Sequence, residues 1–201
     1  MIALLLMAAG FSERFKASCP YPPRHKLAMA DQDSQTMLEK SYQQAYQVMT
    51  PENILIVTNQ LEPNIAEIAR TLPSPQISIQ SEGLGESIAK GLSFALEHNP
   101  HYKAVLILPA DLPFIQADSF TQVITALTQY LEHNVRPYYQ DTAGHPVGFQ
   151  QHCFSELLQL SGDQGAQKIL QKYPLKKIYL EDPGITQDID TYEDFCQYHP
   201  I

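Results

Sequence analysis

Short apolar runs alternate along the chain with longer segments of helical period. Six runs rich in branched side chains predict strands, at residues 2–7, 53–58, 76–80, 104–109, 135–139 and 176–180. Four longer segments predict crossover helices, at residues 36–49, 62–71, 86–98 and 118–133. This alternation predicts an α/β fold in which a mostly parallel sheet carries helices on both faces. Such sheets bind ligands beyond the carboxyl ends of their strands.

The fourth helix and the segment after it show how the pattern changes along the chain. Asp118 is placed to cap that helix, and one buried stripe is predicted on it, formed by Phe120, Val123, Ile124, Leu127 and Leu131. From Arg136 onward the rhythm is less regular, with room for an antiparallel strand and a final helix over residues 191–198. Residues 1–201 are therefore expected to form a single domain.

Charge and composition narrow the classes of partner. The 201 residues hold 22 Asp and Glu against 13 Lys and Arg, a net charge of −9. This balance argues against nucleic acid or an anionic membrane as a partner, although a small anionic substrate remains compatible with locally gathered cations. No apolar run approaches the roughly 20 residues that span a bilayer. Cys19, Cys153 and Cys196 have neither disulfide nor zinc spacing, so a cytoplasmic location is expected.

The segment MAAGFSER ends the first predicted strand. Its small residues Ala8, Ala9 and Gly10 allow close approach of the backbone to a ligand, and backbone N–H groups can then bind phosphate oxygens. Arg14 and Lys26 would add positive charge for the same anion. A plain turn with two surface cations is an equally open interpretation.

Carboxylates follow at two later points. Asp111 comes directly after a buried strand, where its oxygen could bind a divalent cation at the ligand-binding edge of the sheet. The alternative is an aspartate that caps a turn before Pro113. Near the end of the chain, QDIDTYED crowds four acids together, and one of Asp188 or Asp190 could supply a second metal carboxylate. Most acids in such a cluster cap a helix start.

Two further loops carry candidate residues. SEGLGESI contains Gly83, Gly85 and Ser87 where a helix opens, so its backbone donors face the same edge of the sheet. A tight structural turn is equally available there. In GHPVGF, glycine and proline fix the loop of His145, for which a buried structural histidine is the more frequent outcome.

Taken together, seven motifs spread from Ile2 to Phe195 resemble the MobA-like nucleotidyltransferase family, and within it the molybdenum cofactor cytidylyltransferases. In chain order they are MAAGFSERF, KLAM, SEGLGESIAKGL, VLILPADLP, GHPVGF, GDQGAQKIL and DIDTYEDF. The resemblance implies a Rossmann-like, three-layer α/β/α nucleotidyltransferase fold. It also implies Mg²⁺-dependent transfer of a nucleoside monophosphate from an NTP to a phosphorylated acceptor, with release of pyrophosphate. The Ala-Ala-Gly form of the first loop favours CTP, and the molybdopterin cofactor is the implied acceptor, with a molybdoenzyme as a further partner.

The resemblance also implies a role for each candidate residue. Ala8, Ala9 and Gly10 would line the nucleotide loop, while Arg14 and Lys26 would neutralise the triphosphate. Gly83, Gly85 and Ser87 would lie along the nucleoside, and Gly144, His145 and Pro146 would face the acceptor. Asp111 would be the main Mg²⁺ ligand, and Asp188 or Asp190 would be the second.

Three departures from the family pattern leave alternatives open. Lys16 replaces a glycine, and residues 17–25 insert a proline-rich stretch, so either Lys16 or Lys26 could reach the phosphates. Lys26 is preferred because it opens the KLAM run. Ala110 stands where glycine is common before the metal aspartate, and Gly148 stands where a large apolar residue is common. These two differences predict an altered acceptor pocket. Transfer of guanylyl or another nucleotidyl group, and a non-catalytic cofactor-binding maturation protein, remain the rival functions.

Overall fold

The computed structural model describes residues 1–21 and 24–198, with the backbone alone at Tyr198. Pro22 and Pro23 of the predicted insertion, and residues 199–201 of the predicted domain, lie outside this range. The strands are β1 Ile2–Ala8, β2 Ile54–Asn59, β3 Gln76–Ile79, β4 Ala104–Pro109, β5 Asn134–Tyr139, β6 Thr142–Ala143, β7 Val147–Gln150 and β8 Leu175–Tyr179. The helices are α1 Glu13–Ser18, α2 Met37–Tyr46, α3 Pro63–Arg70, α4 Leu84–His98, α5 Ala117–Gln129, α6 Phe154–Leu157, α7 Gln167–Lys172 and α8 Tyr192–Tyr198.

The strands form one mixed sheet in the order β3-β2-β1-β4-β7-β5-β6, with β8 paired to β5. Strands β1 to β4 are mutually parallel, β8 is parallel to β5, and β7 runs antiparallel to both β4 and β5. The six predicted strands are each present to within one residue, and β7 is the antiparallel strand for which the pattern left room. The predicted mostly parallel α/β sheet is confirmed.

Helices cover both faces of the sheet because successive side chains of a buried strand point to opposite sides. On β1, Leu4 and Leu6 join a core cluster with residues of α2, α3 and α5. Leu5 and Met7 join a second cluster with residues of α4, α6 and α7. The three-layer arrangement is thus confirmed, and it leaves the strand ends free for a site. No helix in the described part of the chain is long and apolar enough to cross a membrane.

Helix α5 ends earlier than its periodicity predicted. Phe120, Val123 and Leu127 are buried as expected. However, the helix stops at Gln129, and Leu131 is 66% exposed, so its predicted place in the buried stripe is wrong. The chain must already turn there to enter the extended β5.

The predicted cap of α5 is also wrong. The N-cap residue is Gln116, and Asp118 is an exposed residue of the first turn that accepts a hydrogen bond from Gln122. Instead, the buried carboxylate of Asp182, from much later in the chain, caps the start of α5. It accepts hydrogen bonds from the Gln116 amide at 2.9 Å, the Ser119 hydroxyl at 2.6 Å and the Gly184 amide at 2.9 Å. Asp182 therefore ties the segment that precedes Asp188 to the start of α5.

Replacing Asp182 with alanine should destabilise the protein by about 3 kcal/mol, because three hydrogen-bond donors, two of them in buried bonds, lose their acceptor. The measurement is the free energy of unfolding in urea. D118A is the matched control, since it removes an exposed aspartate from the first turn of α5, to which Asp182 is bonded. It should cost no more than about 0.5 kcal/mol. Equal effects of the two substitutions would contradict the capping part assigned to Asp182.

Candidate functional site

Asp111 stands at the carboxyl end of β4, where three clefts meet. The first cleft, of about 260 Å³, is lined by Arg14 and Lys26 among others. The second, of about 440 Å³, runs along the loop after β1 and the start of α4. The third, of about 230 Å³, contains His145 and Asp188. Asp111 lines all three clefts, so a molecule bound in any of them lies next to its side chain.

A chain of ion pairs crosses the first cleft. The Lys26 ammonium lies 2.7 Å from Asp111 Oδ2 and 2.9 Å from Asp190 Oδ1. Arg14 Nη1 lies 2.5 Å from the other oxygen of Asp190. Burial by itself would lower the pKa of Lys26, but the charges and hydrogen bonds of Asp111 and Asp190 outweigh it and raise that pKa. Lys26 is therefore held as a cation inside the cleft.

The two candidate lysines occupy different surroundings. Lys16 is on α1, and its ammonium pairs at 2.5 Å with Glu62 at the start of α3. It is not among the residues that line the three clefts. Lys26 follows the insertion, and its side chain is only 12% exposed between two carboxylates. The structure thus brings Lys26, and not Lys16, to Asp111.

Two carboxylates keep negative charge that the ion pairs do not fully compensate: Asp111, through its second oxygen, and Asp188. Asp111 Oδ1 is buried and has no hydrogen-bond partner in the described part of the chain. The Ile189 amide donates to the Asp111 carbonyl at 3.1 Å, which holds the segment around Asp188 against the end of β4. Desolvation, and then the charges of Asp190 and Asp111, raise the pKa of Asp188. Negative charge is therefore concentrated where the first and third clefts adjoin.

The glycines of the second cleft serve packing as well as access. A Cβ on Gly83 would lie 2.3 Å from the backbone of Gly162, and one on Gly85 would lie 2.4 Å from the Gln164 carbonyl. The Gly85 amide also donates to the Gly162 carbonyl at 2.8 Å. Gly83 lines the cleft, whereas Gly85 lies buried behind it. Both glycines thus let the start of α4 approach the loop before α7.

The other residues predicted along this cleft separate into two groups. Ala9, Gly10 and Ser87 line it. Ala8 is buried in the core on the opposite side of the sheet and contributes its place in the strand, not a contact surface. The structure therefore brings most of the predicted nucleotide residues to one wall.

The GHPVGF loop reaches the third cleft through His145. Gly144 lies against Ile185, where a Cβ would come within 2.7 Å of that side chain, and Pro146 is buried. Burial, and then the nearby charge of Arg136, lower the pKa of His145 to about 4, so the imidazole is uncharged at neutral pH. Gly148, in contrast, faces Leu127 of α5, on the other face of β7. Gly148 thus lies away from the third cleft, and its effect on the acceptor pocket stays a prediction.

His25 is a site residue that the sequence interpretation missed. Its Nδ1 accepts from the Leu27 amide at 3.2 Å, and its Nε2 therefore donates to the Gly10 carbonyl at 2.8 Å. The Lys26 amide donates in turn to Ser12 Oγ at 3.2 Å. These bonds fasten the loop after β1 to the segment that carries Lys26. Its position directly before the KLAM run was the available signal.

Asn59 is the second residue missed. It is fully buried at the end of β2, and its amide donates to the carbonyls of Ala9, at 3.2 Å, and Ser81, at 2.9 Å. Its own oxygen accepts from the Leu61 amide. One side chain thus joins the loops after β1, β2 and β3. A polar residue at the end of the apolar strand β2 was the signal.

Residues 4–178 match the MobA-like NTP transferase domain. The chain belongs to this family. Membership makes it a nucleotidyltransferase, in agreement with the clefts around Asp111. A search of curated proteins gave no match.

Several solved structures share the fold. Rv0371c from Mycobacterium tuberculosis H37Rv superposes with a TM-score of 0.82 at 19% identity, over 100% of this chain and 98% of its own. A structure of that protein in complex with manganese gives a TM-score of 0.73 at 20% identity, over 98% and 97%. A nucleotidyl transferase from Methanothermobacter thermautotroptrophicus gives 0.80 at 15%, over 99% and 96%. Molybdopterin-guanine dinucleotide biosynthesis protein A from Archaeoglobus fulgidus gives 0.71 at 14%, over 99% and 97%.

The loops around Lys26 should loosen in acid through His25. Burial lowers the pKa of His25 from its ordinary 6.5, so the neutral ring is favoured in the folded protein. The stability that it contributes is complete above pH 6.5 and is lost as the pH falls from there through the folded-state pKa. In urea unfolding between about pH 7.5 and pH 5.5, wild type should therefore lose stability more steeply than H25Q. H101Q, altered at an exposed histidine, controls for loss of an imidazole, and parallel profiles of wild type and H25Q would refute the assignment.

Proposed function

We propose that the chain transfers CMP from CTP to the phosphate of molybdopterin cofactor and releases pyrophosphate, with residues 1–201 acting as one catalytic domain. The observation that carries the proposal is the position of Asp111 and Lys26 where three clefts meet. The complex of a similar fold with manganese supports use of a divalent metal. The shared fold with molybdopterin-guanine dinucleotide biosynthesis protein A from Archaeoglobus fulgidus supports a molybdopterin acceptor.

The reaction itself asks for positioning and positive charge. An acceptor phosphate oxygen forms a bond to the α-phosphorus of the nucleotide, the bond from that phosphorus to the bridging oxygen breaks, and pyrophosphate leaves with the electron pair. The attacking phosphate is already an anion, so no protein nucleophile is required. Two polyanions must instead be held in line against their mutual repulsion.

Lys26 and Arg14 are the cations available for the triphosphate. In this structure both are paired with carboxylates, and Lys26 stays protonated because those carboxylates raise its pKa. A triphosphate entering the first cleft offers both side chains a stronger anion than Asp190. The ion pairs thus hold the two cations ready in the absence of substrate.

The residues present fit a divalent metal. Asp111 offers a buried oxygen without a hydrogen-bond partner among the described residues, and carboxylate oxygens are the ligands that Mg²⁺ prefers. Among the described residues, no group of three carboxylate, imidazole or thiol side chains could hold a metal ion without help from a substrate. One or two carboxylates with substrate phosphates are the usual Mg²⁺ set. When bound, Mg²⁺ supplies positive charge to the phosphate oxygens.

The second carboxylate of that set is better supplied by Asp188. Both oxygens of Asp190 already accept from Lys26 and Arg14. The pKa of Asp188 is raised by burial first and then by the charges of Asp190 and Asp111, and a cation bound there would offset that negative charge. Asp188 also lies on the third cleft with His145, where Gly144 and Pro146 set the loop that would face the acceptor. The second and largest of the three clefts, along Gly83 and Ser87, would take the nucleoside.

Nucleotide choice should appear in thermal stability. CTP with Mg²⁺ should raise the melting temperature of wild type more than GTP, ATP or UTP with Mg²⁺, and D111N should lose the Mg²⁺-dependent part of the shift and of pyrophosphate release. A response confined to GTP would replace the cytidylyl assignment with the guanylyl one. No response to any nucleotide would refute catalysis and leave the cofactor-binding alternative.

The two lysines can be separated by matched substitutions. K26M should lower kcat/KM for the nucleotide by about 100-fold or more, because it removes a charge-assisted contact to the phosphates. K16M also removes one lysine charge, but from the Lys16–Glu62 ion pair outside the three clefts, and should change kcat/KM by no more than about threefold. Steady-state pyrophosphate release measures both. A larger effect of K16M would transfer the phosphate contact to Lys16.

A further inference from the structure

A fourth cleft, of about 210 Å³, opens on the other side of His145. Its wall is mostly apolar and is formed by Ile88, Ile107, Val147, Phe149 and Leu170. It shares Met7 and Leu84 with the second cleft, and Pro109 and His145 with the third. A molecule in this cleft therefore borders both the nucleotide wall and the approach to Asp111.

Arg136 is the unusual member of that wall. Among the described residues that line the fourth cleft it alone is charged, because His145 is neutral at ordinary pH. Its Nε donates to the Gly144 carbonyl at 3.3 Å, and Nη1 donates to Gln167 Oε1 at 3.1 Å. Within residues 1–21 and 24–198, ion pairs join Lys or Arg to Asp or Glu at seven places, and Arg136 takes part in none.

A half-buried guanidinium without an ion-pair partner is costly, because burial removes its charge from water. The sequence has 22 acidic residues against 13 basic ones, yet no acidic residue in the described part of the chain pairs with Arg136. Its two hydrogen bonds go to neutral oxygens, so its positive charge is left uncompensated. The planar fork of arginine suits phosphate and carboxylate groups. An apolar cavity with one convergent charge is the usual form of a small-molecule site. The combination indicates a ligand with a flat apolar body and an anionic group.

We infer that the fourth cleft holds the acceptor, a cyclic molecule whose ring system lies on the apolar wall and whose phosphate is bound by Arg136. This deepens the proposed function and rests on it. The cleft is smaller than the roughly 300–1,000 Å³ of a complete ligand site, so it has room for one ring system and not for a nucleotide. The phosphate end lies at Arg136, near His145, and His145 also lines the third cleft together with Asp111.

The kinetic test separates the acceptor from the nucleotide. With molybdopterin as acceptor, R136M should raise the acceptor KM by about 10- to 100-fold, the loss of one charge-assisted contact, and leave the KM for CTP within about twofold. R136K keeps the charge but not the fork and should fall between R136M and wild type. A166L fills the cleft without changing charge and should also raise the acceptor KM. K168M removes a charge from the exposed neighbouring surface and should behave as wild type. An unchanged acceptor KM in R136M overturns the inference.

A binding test keeps the inference independent of turnover. By calorimetry, 2-naphthyl phosphate should bind wild type, whereas 2-naphthol and inorganic phosphate should bind at least about 10-fold more weakly, because each lacks one half of the recognised chemistry. R136M should lose the preference for the phosphate while keeping its stabilisation by CTP with Mg²⁺. If wild type shows no turnover yet this pattern holds, the proposed function fails and the ligand class of the cleft stands. Equal affinity of wild type and R136M for 2-naphthyl phosphate refutes the cleft assignment.

Discussion

The site depends on one buried lysine held between two carboxylates from distant parts of the chain. Lys26 joins Asp111, at the end of β4, to Asp190, just before α8. Removing both carboxylates would leave a desolvated and unpaired cation, which is far more costly than losing an exposed ion pair. The same pairing that stabilises the folded chain therefore keeps positive charge inside a cleft of an acidic protein. A substrate phosphate needs only to exchange one anion for another.

The loops that carry these charges are themselves held by buried polar side chains. Asn59 bonds to the loops after β1 and β3, His25 bonds the Gly10 carbonyl, and Asp182 fixes the segment before Asp188 to α5. Each of these groups has its hydrogen bonds satisfied, as a buried polar group must. Loops at the strand ends would otherwise vary widely in position. Hydrogen bonds, more than apolar packing, thus set the distances at the site.

The sequence predicted elements well where periodicity and burial coincide. Strands β1, β2 and β4 are buried on both faces, so their apolar runs have clear limits, and Asp111 could be placed directly after β4. Leu131 was misplaced because helical spacing continues past the point where the chain turns toward β5. Asp118 was predicted as the cap from its place at the start of the helix, because local spacing carries no information about a carboxylate that arrives from 66 positions away. His25 and Asn59 were marked in the sequence only by their positions beside a motif or strand, and their roles, like that of Arg136, depend on contacts made only in the folded chain.

Charge is distributed among the clefts in a way that bears on the order of binding. The first cleft has its cations already paired, so a triphosphate must displace Asp190 from Lys26 and Arg14. Asp190 and Asp188 are then left with less compensation, and Asp188 already has a raised pKa because of its burial and its negative neighbours. A metal that enters with the triphosphate would relieve both carboxylates, whereas an acceptor phosphate arriving first would add to their repulsion. The electrostatics therefore favour the nucleotide with its metal as the first substrate to bind and the acceptor as the second.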